Sequence, residues 1–183
     1  MRAETILLTA KDGHKFEAWR ADPSGKAKGG IVLLHAVFGR TPHMGDVCTQ
    51  WADAGYAAIA PALFDRLATG TVHPYSREGV EAGTQSYAQL RAQDVLADID
   101  ACATALRGCG PVVISGFCTG GSWAWRAAAE LVFDAQVNFY ASHAHLQTGS
   151  SLRRAAQPSC ILVILIPSSR RRKLRASQPR ILT

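Results

Sequence analysis

The segment Gly116-Phe117-Cys118-Thr119-Gly120-Gly121 directly follows the apolar run Pro111-Val112-Val113-Ile114-Ser115. This order reads as strand, sharp turn and helix, with a cysteine at the apex. An apex residue of this kind is forced towards positive φ, so its neighbours must be small. Gly116 and Gly120 meet that need. The helix that follows aims free N–H groups and a partial positive charge at Cys118. Both favour the thiolate, the nucleophilic form of the side chain. Cys118 is therefore a candidate covalent nucleophile. The competing account is a buried structural cysteine beside a glycine-rich packing turn. The preceding strand and the Ala-rich segment after Gly121 favour the nucleophile.

The elements that must position this apex alternate between strand and helix. Thr5 to Thr9 and Phe16 to Arg20 form an expected hairpin, with Lys11-Asp12-Gly13 as its turn. Ile31 to His35 is a continuous apolar run, as expected of a central parallel strand. Thr41-Pro42 offers an N-cap followed by proline at the first helical position, and that helix should stop at Gly55. Tyr56 to Ala60 is the next strand, ended by Pro61, and residues 65–80 read as loop. Val95, Ile99, Cys102 and Leu106 recur at helical spacing, which predicts one amphipathic helix over 84–107. A strand at 111–115, a helix at 120–132, a strand from Gln136 to Tyr140 and a β-rich run from Cys160 to Ile166 follow. The pattern predicts an α/β fold, a mostly parallel sheet with helices on both faces.

A chain of 183 residues suits one domain with a substantial core. It has no apolar run of membrane-spanning length. Met1-Arg2-Ala3-Glu4 has no signal-peptide character. Five cysteines without paired spacing fit reduced thiols in the cytoplasm. Residues 1–134 hold all 14 acidic residues and 12 of the 20 Lys and Arg. The body is thus mildly acidic and gives no reason to expect nucleic acid; the excess positive charge sits in the tail.

Several segments together resemble the dienelactone hydrolases of the α/β-hydrolase superfamily. They are Asp12-Gly13-His14, Val37-Phe38-Gly39, Asp53-Ala54-Gly55-Tyr56-Ala57-Ala58 with Pro61-Ala62-Leu63-Phe64, the Cys118 elbow, and Val137-Asn138-Phe139-Tyr140. The resemblance spans about residues 5–158. It implies an α/β-hydrolase-like fold and cleavage of a small lactone or ester through an acyl-cysteine intermediate. No cofactor and no metal are expected. Cys118 matches the nucleophile, and the backbone N–H groups of Val37 and Thr119 match the oxyanion donors. Arg77 is the match for an arginine that holds a substrate carboxylate.

The chain departs from the family pattern in three places. Ala36 stands where a glutamate that controls the resting thiol is expected, with His35 before it as a strand-end histidine. No acid follows Asp134 and no histidine follows His145, where the triad aspartate and histidine would lie. The expectation is a C-terminally truncated hydrolase with impaired turnover, because deacylation needs an activated water. The alternative is a non-catalytic binding protein or an inactive truncated product. His143 and His145 form an H-x-H pair with no nearby acid or cysteine to complete a metal site. The organisation expected is a hydrolase-like domain over 1–158 and a divergent basic tail over 159–183. The tail contains Arg170-Arg171-Arg172-Lys173 and fits a segment read in a shifted frame.

Overall fold

The computed structural model describes residues 2–140 and 160–163. The histidine pair at 143 and 145 and the basic tail lie outside these residues. Strands β1 (Glu4–Thr9) and β2 (Lys15–Ala21) form the expected hairpin, from Glu4 opposite Arg20 to Thr9 opposite Lys15. Its turn closes through the Ala10 N–H, which donates to the His14 carbonyl at 2.8 Å, with Gly13 at φ 86°. Arg66 reaches Asp12 at 2.7 Å and the fully buried Asp98 at 2.6 Å, and His14 Nδ1 lies 3.2 Å from Asp98. A carboxylate taken out of water must be paired and hydrogen-bonded. That requirement fastens the hairpin to the helix that carries Asp98.

The remaining strands are β3 (Gly30–Leu34), β4 (Ala57–Pro61), β5 (Val112–Phe117), β6 (Ala135–Phe139) and β7 (Cys160–Val163). Among the described residues they complete one sheet in the order β1-β2-β4-β3-β5-β6-β7. β3 pairs in parallel with both β4 and β5, and β6 pairs in parallel with β5 and β7. All five residues of β3 are buried, which explains its unbroken apolar sequence. Side chains alternate between the two faces of a strand. Ile31 and Leu33 meet Met44, Cys48 and Ala52 of α1 (Pro42–Asp53) on one face. Val32, Leu34 and Ile114 meet α3 (Ala92–Leu106) and α4 (Thr119–Glu130) on the other. Helices therefore cover both faces, as expected.

Two local expectations are corrected. The single helix expected over 84–107 is two helices, α2 (Arg77–Gln89) and α3, separated by extended backbone at Leu90 and Arg91. The stripe of Val95, Ile99, Cys102 and Leu106 belongs to α3 alone. The buried positions of α2 are Gly79, Gly83 and Ser86, which carry no hydrophobic period. α2 also begins inside the segment expected to be loop. Ser76 caps it, its hydroxyl accepting from the Gly79 N–H at 3.1 Å. Thr41 stands at the N-cap of α1 with Pro42 behind it, but its side chain makes no cap bond. Its hydroxyl instead meets the Tyr75 hydroxyl at 2.9 Å.

The chain leaves β3 through α1 on one face and leaves β5 through α4 on the other. A crevice opens at the carboxyl ends of such a strand pair, and ligands of open α/β sheets bind there.

Candidate active site

The sharp turn after β5 places Cys118 at φ 55° and ψ −116°, a conformation that L-residues rarely adopt. The surroundings enforce it. The Cys118 N–H donates to the Phe139 carbonyl at 3.1 Å, tying the apex to the end of β6. Its carbonyl accepts from the Gly121 N–H at 3.0 Å, the first bond of α4. A Cβ on Gly116 would stand 2.2 Å from the Gly120 carbonyl oxygen, and one on Gly120 would stand 2.3 Å from that of Leu34. The start of α4 is pressed directly against the ends of β3 and β5, so both glycines are steric necessities. Cys118 is only half-buried, whereas Cys48 and Cys102 have no exposure. Burial pushes the Cys48 thiol up to about 12 and raises that of Cys102 as well.

Val37 and Thr119 each follow the registered pair Leu34 and Gly116 by three residues, on adjacent parallel strands. Thr119 opens α4, where backbone N–H groups have no helical acceptor. Among the described residues, neither the Val37 nor the Thr119 N–H has a backbone acceptor. The peptide that carries the Val37 N–H is held by its other end. The Ala36 carbonyl accepts from His35 Nδ1 at 2.7 Å and from the Gly39 N–H at 3.3 Å. In a trans peptide the N–H points opposite to the carbonyl, so these bonds orient the Val37 N–H.

His35 is fixed in turn. Its Nε2 accepts from the Leu63 N–H at 3.2 Å, which leaves the proton on Nδ1. Burial pushes its pKa down to about 4, so the imidazole stays neutral near pH 7. Both ring nitrogens are occupied, and His35 positions the turn.

A cavity of about 160 Å³ lies between the turn after β3 and the end of β5. Ala36, Phe38, His43, Tyr75, Phe117 and Tyr140 line it. Sequence reasoning missed Tyr75 and Tyr140. Tyr140 sits just past β6 at φ 41°, and burial and the nearby Cys118 charge raise its pKa. Tyr87, also missed, bonds to the Ser122 side chain, and burial ahead of the Cys118 charge raises its pKa. No local signal marks these tyrosines, because the fold alone brings Tyr75 to the cavity and Tyr87 and Tyr140 near Cys118. Arg77 opens α2 with its side chain 89% exposed and paired with Glu81 at 3.3 Å. It does not line the cavity. A larger open groove of about 660 Å³, with Lys26, Lys28 and Arg107 on its walls, lies at the opposite ends of the strands from Cys118.

The model of the dienelactone hydrolase family matches residues 16–164. The chain belongs to the dienelactone hydrolase family. It is 34% identical over 115 residues to a putative carboxymethylenebutenolidase of Synechocystis sp., covering 60% of this chain and 47% of that protein. It is 31% identical over 148 residues to the carboxymethylenebutenolidase of Pseudomonas putida, covering 76% of this chain and 61% of that one. The chain thus spans about half to three-fifths of the length of these curated relatives. A putative dienelactone hydrolase from Klebsiella pneumoniae subsp. pneumoniae superposes with a TM-score of 0.63 at 22% identity, covering 88% of this chain and 84% of that chain. A dienelactone hydrolase-like promiscuous phosphotriesterase from metagenomic libraries superposes at 0.60 and 17% identity, covering 90% and 82%. These superpositions show the shared α/β-hydrolase fold. Among the described residues no helix is long and apolar enough to cross a membrane, and no cluster of His, Cys, Asp or Glu has the arrangement of a metal site.

Proposed function

We propose that this dienelactone hydrolase family member is a hydrolase that attacks a small ester or lactone with the Cys118 thiolate. The strained apex geometry of Cys118, next to the Val37 turn, carries this reading. The thiolate adds to the carbonyl carbon, and the carbonyl oxygen takes up negative charge. The Val37 and Thr119 N–H groups receive that charge, each donor contributing roughly 10²–10³ in rate. Collapse expels the alkoxide and leaves a thioester on Cys118. In a lactone the alkoxide stays attached to the acyl group.

Hydrolysis of that thioester needs a base to activate water. Among the described residues, His14 is engaged with Asp98, His35 with Ala36 and Leu63, and His73 with Ser86, while His43 stands exposed on the rim of the cavity. We propose that acylation outruns deacylation in this chain, so that the acyl-enzyme accumulates. A role for Arg77 in holding a substrate carboxylate would require it to leave Glu81 and turn inward.

The test is exposure to an activated ester followed by mass spectrometry of the intact protein and its peptides. One acyl group on Cys118, absent in Cys118→Ala, supports the reading. Absence of labelling at Cys118 overturns it in favour of a binding protein.

A further inference from the structure

We propose that Arg66 is a positioning residue for the oxyanion donor: its fork between Asp98 and Asp12 fixes the segment that braces the Val37 turn from behind. The proposal rests on the acyl-transfer reading above, in which the Val37 N–H receives the developing charge.

The turn after β3 is braced from outside as well as by its own bonds. Residues 62–73 touch it at four points. The Leu63 N–H donates to His35 Nε2 at 3.2 Å, and the Phe64 ring meets the His35 ring edge-on with centroids 4.9 Å apart. The His73 N–H donates to the Phe38 carbonyl at 2.9 Å, and Gly39 forms an antiparallel bridge with Val72. A Cβ on Gly39 would stand 2.7 Å from the Thr71 carbonyl oxygen, so the two segments meet backbone against backbone. His35 passes the bracing on. Its Nδ1 donates to the Ala36 carbonyl, and the N–H of that same peptide is the one Val37 presents.

The bracing segment is irregular apart from the helical turn Leu63–Arg66 and the bridge at Val72. Backbone outside a ladder or a helix is ordered by its tethers, and each ordered residue costs entropy that the tethers must offset. Arg66 is the central tether. Its Nε and Nη2 donate to the two carboxylate oxygens of Asp98 at 2.9 and 2.6 Å. Its Nη1 and Nη2 donate to those of Asp12 at 2.7 and 3.2 Å. Paired, charge-assisted bonds of this kind fix direction as well as distance. Asp98 stands on α3 and has no exposure, and Asp12 stands in the turn of the first hairpin. Asp65, next to Arg66, accepts from the Glu17 N–H at 3.0 Å and from the Gly70 N–H at 2.8 Å. The segment behind the oxyanion turn is thereby tied to a helix and to the hairpin at once.

Stability alone does not call for this arrangement. Well-packed apolar residues of similar size often stabilise a fold as well as a buried ion pair does. What the fork adds is a fixed direction. An oxyanion donor needs that, because a misplacement of about 1 Å can cost about 10²-fold in rate.

The experiment applies two electrophiles to one thiol. Acylation of Cys118 by p-nitrophenyl acetate builds negative charge on the carbonyl oxygen and draws on the donor. Alkylation by iodoacetamide displaces iodide from a saturated carbon and does not. Mass spectrometry of the Cys118 peptide reads both rates. Arg66→Lys keeps a cation beside Asp98 but loses the planar fork. The expected result is acylation slowed about tenfold, with alkylation within about twofold of the unsubstituted protein. Asp12→Asn, which leaves the Asp98 pair intact, should slow acylation about threefold and spare alkylation. It decides the matter if circular dichroism shows that Arg66→Lys does not fold. Arg91→Lys, whose exposed pair with Asp94 lies outside this chain of contacts, should change neither rate. Parallel slowing of both reactions would reduce Arg66 to a general structural role and overturn the inference. Unchanged acylation in the folded variants would overturn it too, and would leave the nucleophile reading in place.

Hydrogen exchange separates the two readings. In Arg66→Lys, or in Asp12→Asn if that variant decides, the Leu63 amide should exchange about tenfold faster while the amides of β5 keep their protection. If the Leu63 amide is unchanged, the inference falls whatever the ester does. If it exchanges faster, but Cys118 of the unsubstituted protein is alkylated and never acylated, the tether stands and the acyl-transfer reading falls.

Discussion

A Cβ on Gly83 would stand 2.0 Å from the carbonyl oxygen of Val37. Helix α2 therefore lies directly on the turn that carries the proposed oxyanion donor, with no room for a methyl group. The contact is backbone against backbone, so no flexible side chain can yield. Gly83→Ala must displace either α2 or the turn. Overpacking of this kind costs about 1–3 kcal/mol. The expected outcome is a lowered melting temperature together with an acylation rate of Cys118 reduced about tenfold or more. Thermal unfolding and the ester-labelling rate check it. Ala82→Gly on the same helix is the control for helix propensity alone. A Gly83→Ala protein with unchanged labelling would show that the turn's position does not matter to the chemistry.

The glycines of the elbow are a harder constraint. Gly120→Ala would bring its methyl within 2.3 Å of the Leu34 carbonyl and 2.5 Å of the His35 carbonyl. Both oxygens belong to the central strand's end and cannot move separately from the sheet. Expression should yield insoluble or unfolded protein, read by circular dichroism and size exclusion. Gly25→Ala, where a Cβ meets nothing within 4 Å, should be neutral. A folded, reactive Gly120→Ala protein would contradict the packing described for the start of α4.

Much of this architecture was legible because strands and helices left clear marks. The unbroken apolar run of β3 and the glycine, cysteine and glycine spacing of the elbow each reflect a single physical demand, burial on two faces in one case and a tight apex in the other. The division between α2 and α3 was not legible. Helix α2 packs through Gly79, Gly83 and Ser86, and small residues at an interface look like loop when read as hydropathy. The role of His35 was also hidden. A strand-end histidine gives no sign that its two nitrogens reach Leu63 and Ala36, one of them 28 residues away. Arg77 matched a family position by sequence order. Its pairing with Glu81 became visible only once α2 was known to begin there. The aromatic lining combines Phe117 and Tyr140, placed by the pairing of β5 with β6, with Phe38 and Tyr75, which meet between the turn after β3 and the segment before α2.

Thiol reactivity provides an independent check of the apex. Cys118 is half-buried at the N-terminus of α4, within reach of a small reagent. Cys48 and Cys102 are fully buried, and burial raises the pKa of each. Limited treatment of the folded protein with iodoacetamide should modify Cys118 well before either. Peptide mapping at partial modification reads the order. Modification of Cys48 or Cys102 ahead of Cys118 would contradict both the apex assignment and the core packing around α1 and α3.

The buried imidazole of His35 should make the turn after β3 sensitive to acid. Burial lowers its pKa to about 4, from 6.5 in an exposed histidine. The folded state therefore binds a proton at this site less readily than the unfolded state does. The associated stability is fully present above pH 6.5 and is lost as pH falls through about 4. The full difference is about 3 kcal/mol, taking 1.36 kcal/mol per unit. The lost contact is specific. A proton on Nε2 turns the acceptor of the Leu63 N–H into a donor, and two donors then face each other at 3.2 Å. Chemical denaturation at intervals between pH 7 and pH 4 should show stability falling as pH falls, and His35→Gln should flatten the part of that slope due to this group. Labelling of Cys118 offers a second readout, corrected for the pH dependence of thiol ionisation measured on free cysteine. The Ala36 carbonyl is held by Nδ1 of the same ring. Disturbing the ring should therefore tilt the peptide that presents the Val37 N–H, and labelling should slow before global unfolding sets in. If His35→Gln leaves both the stability slope and the corrected labelling profile unchanged, His35 does not position the turn.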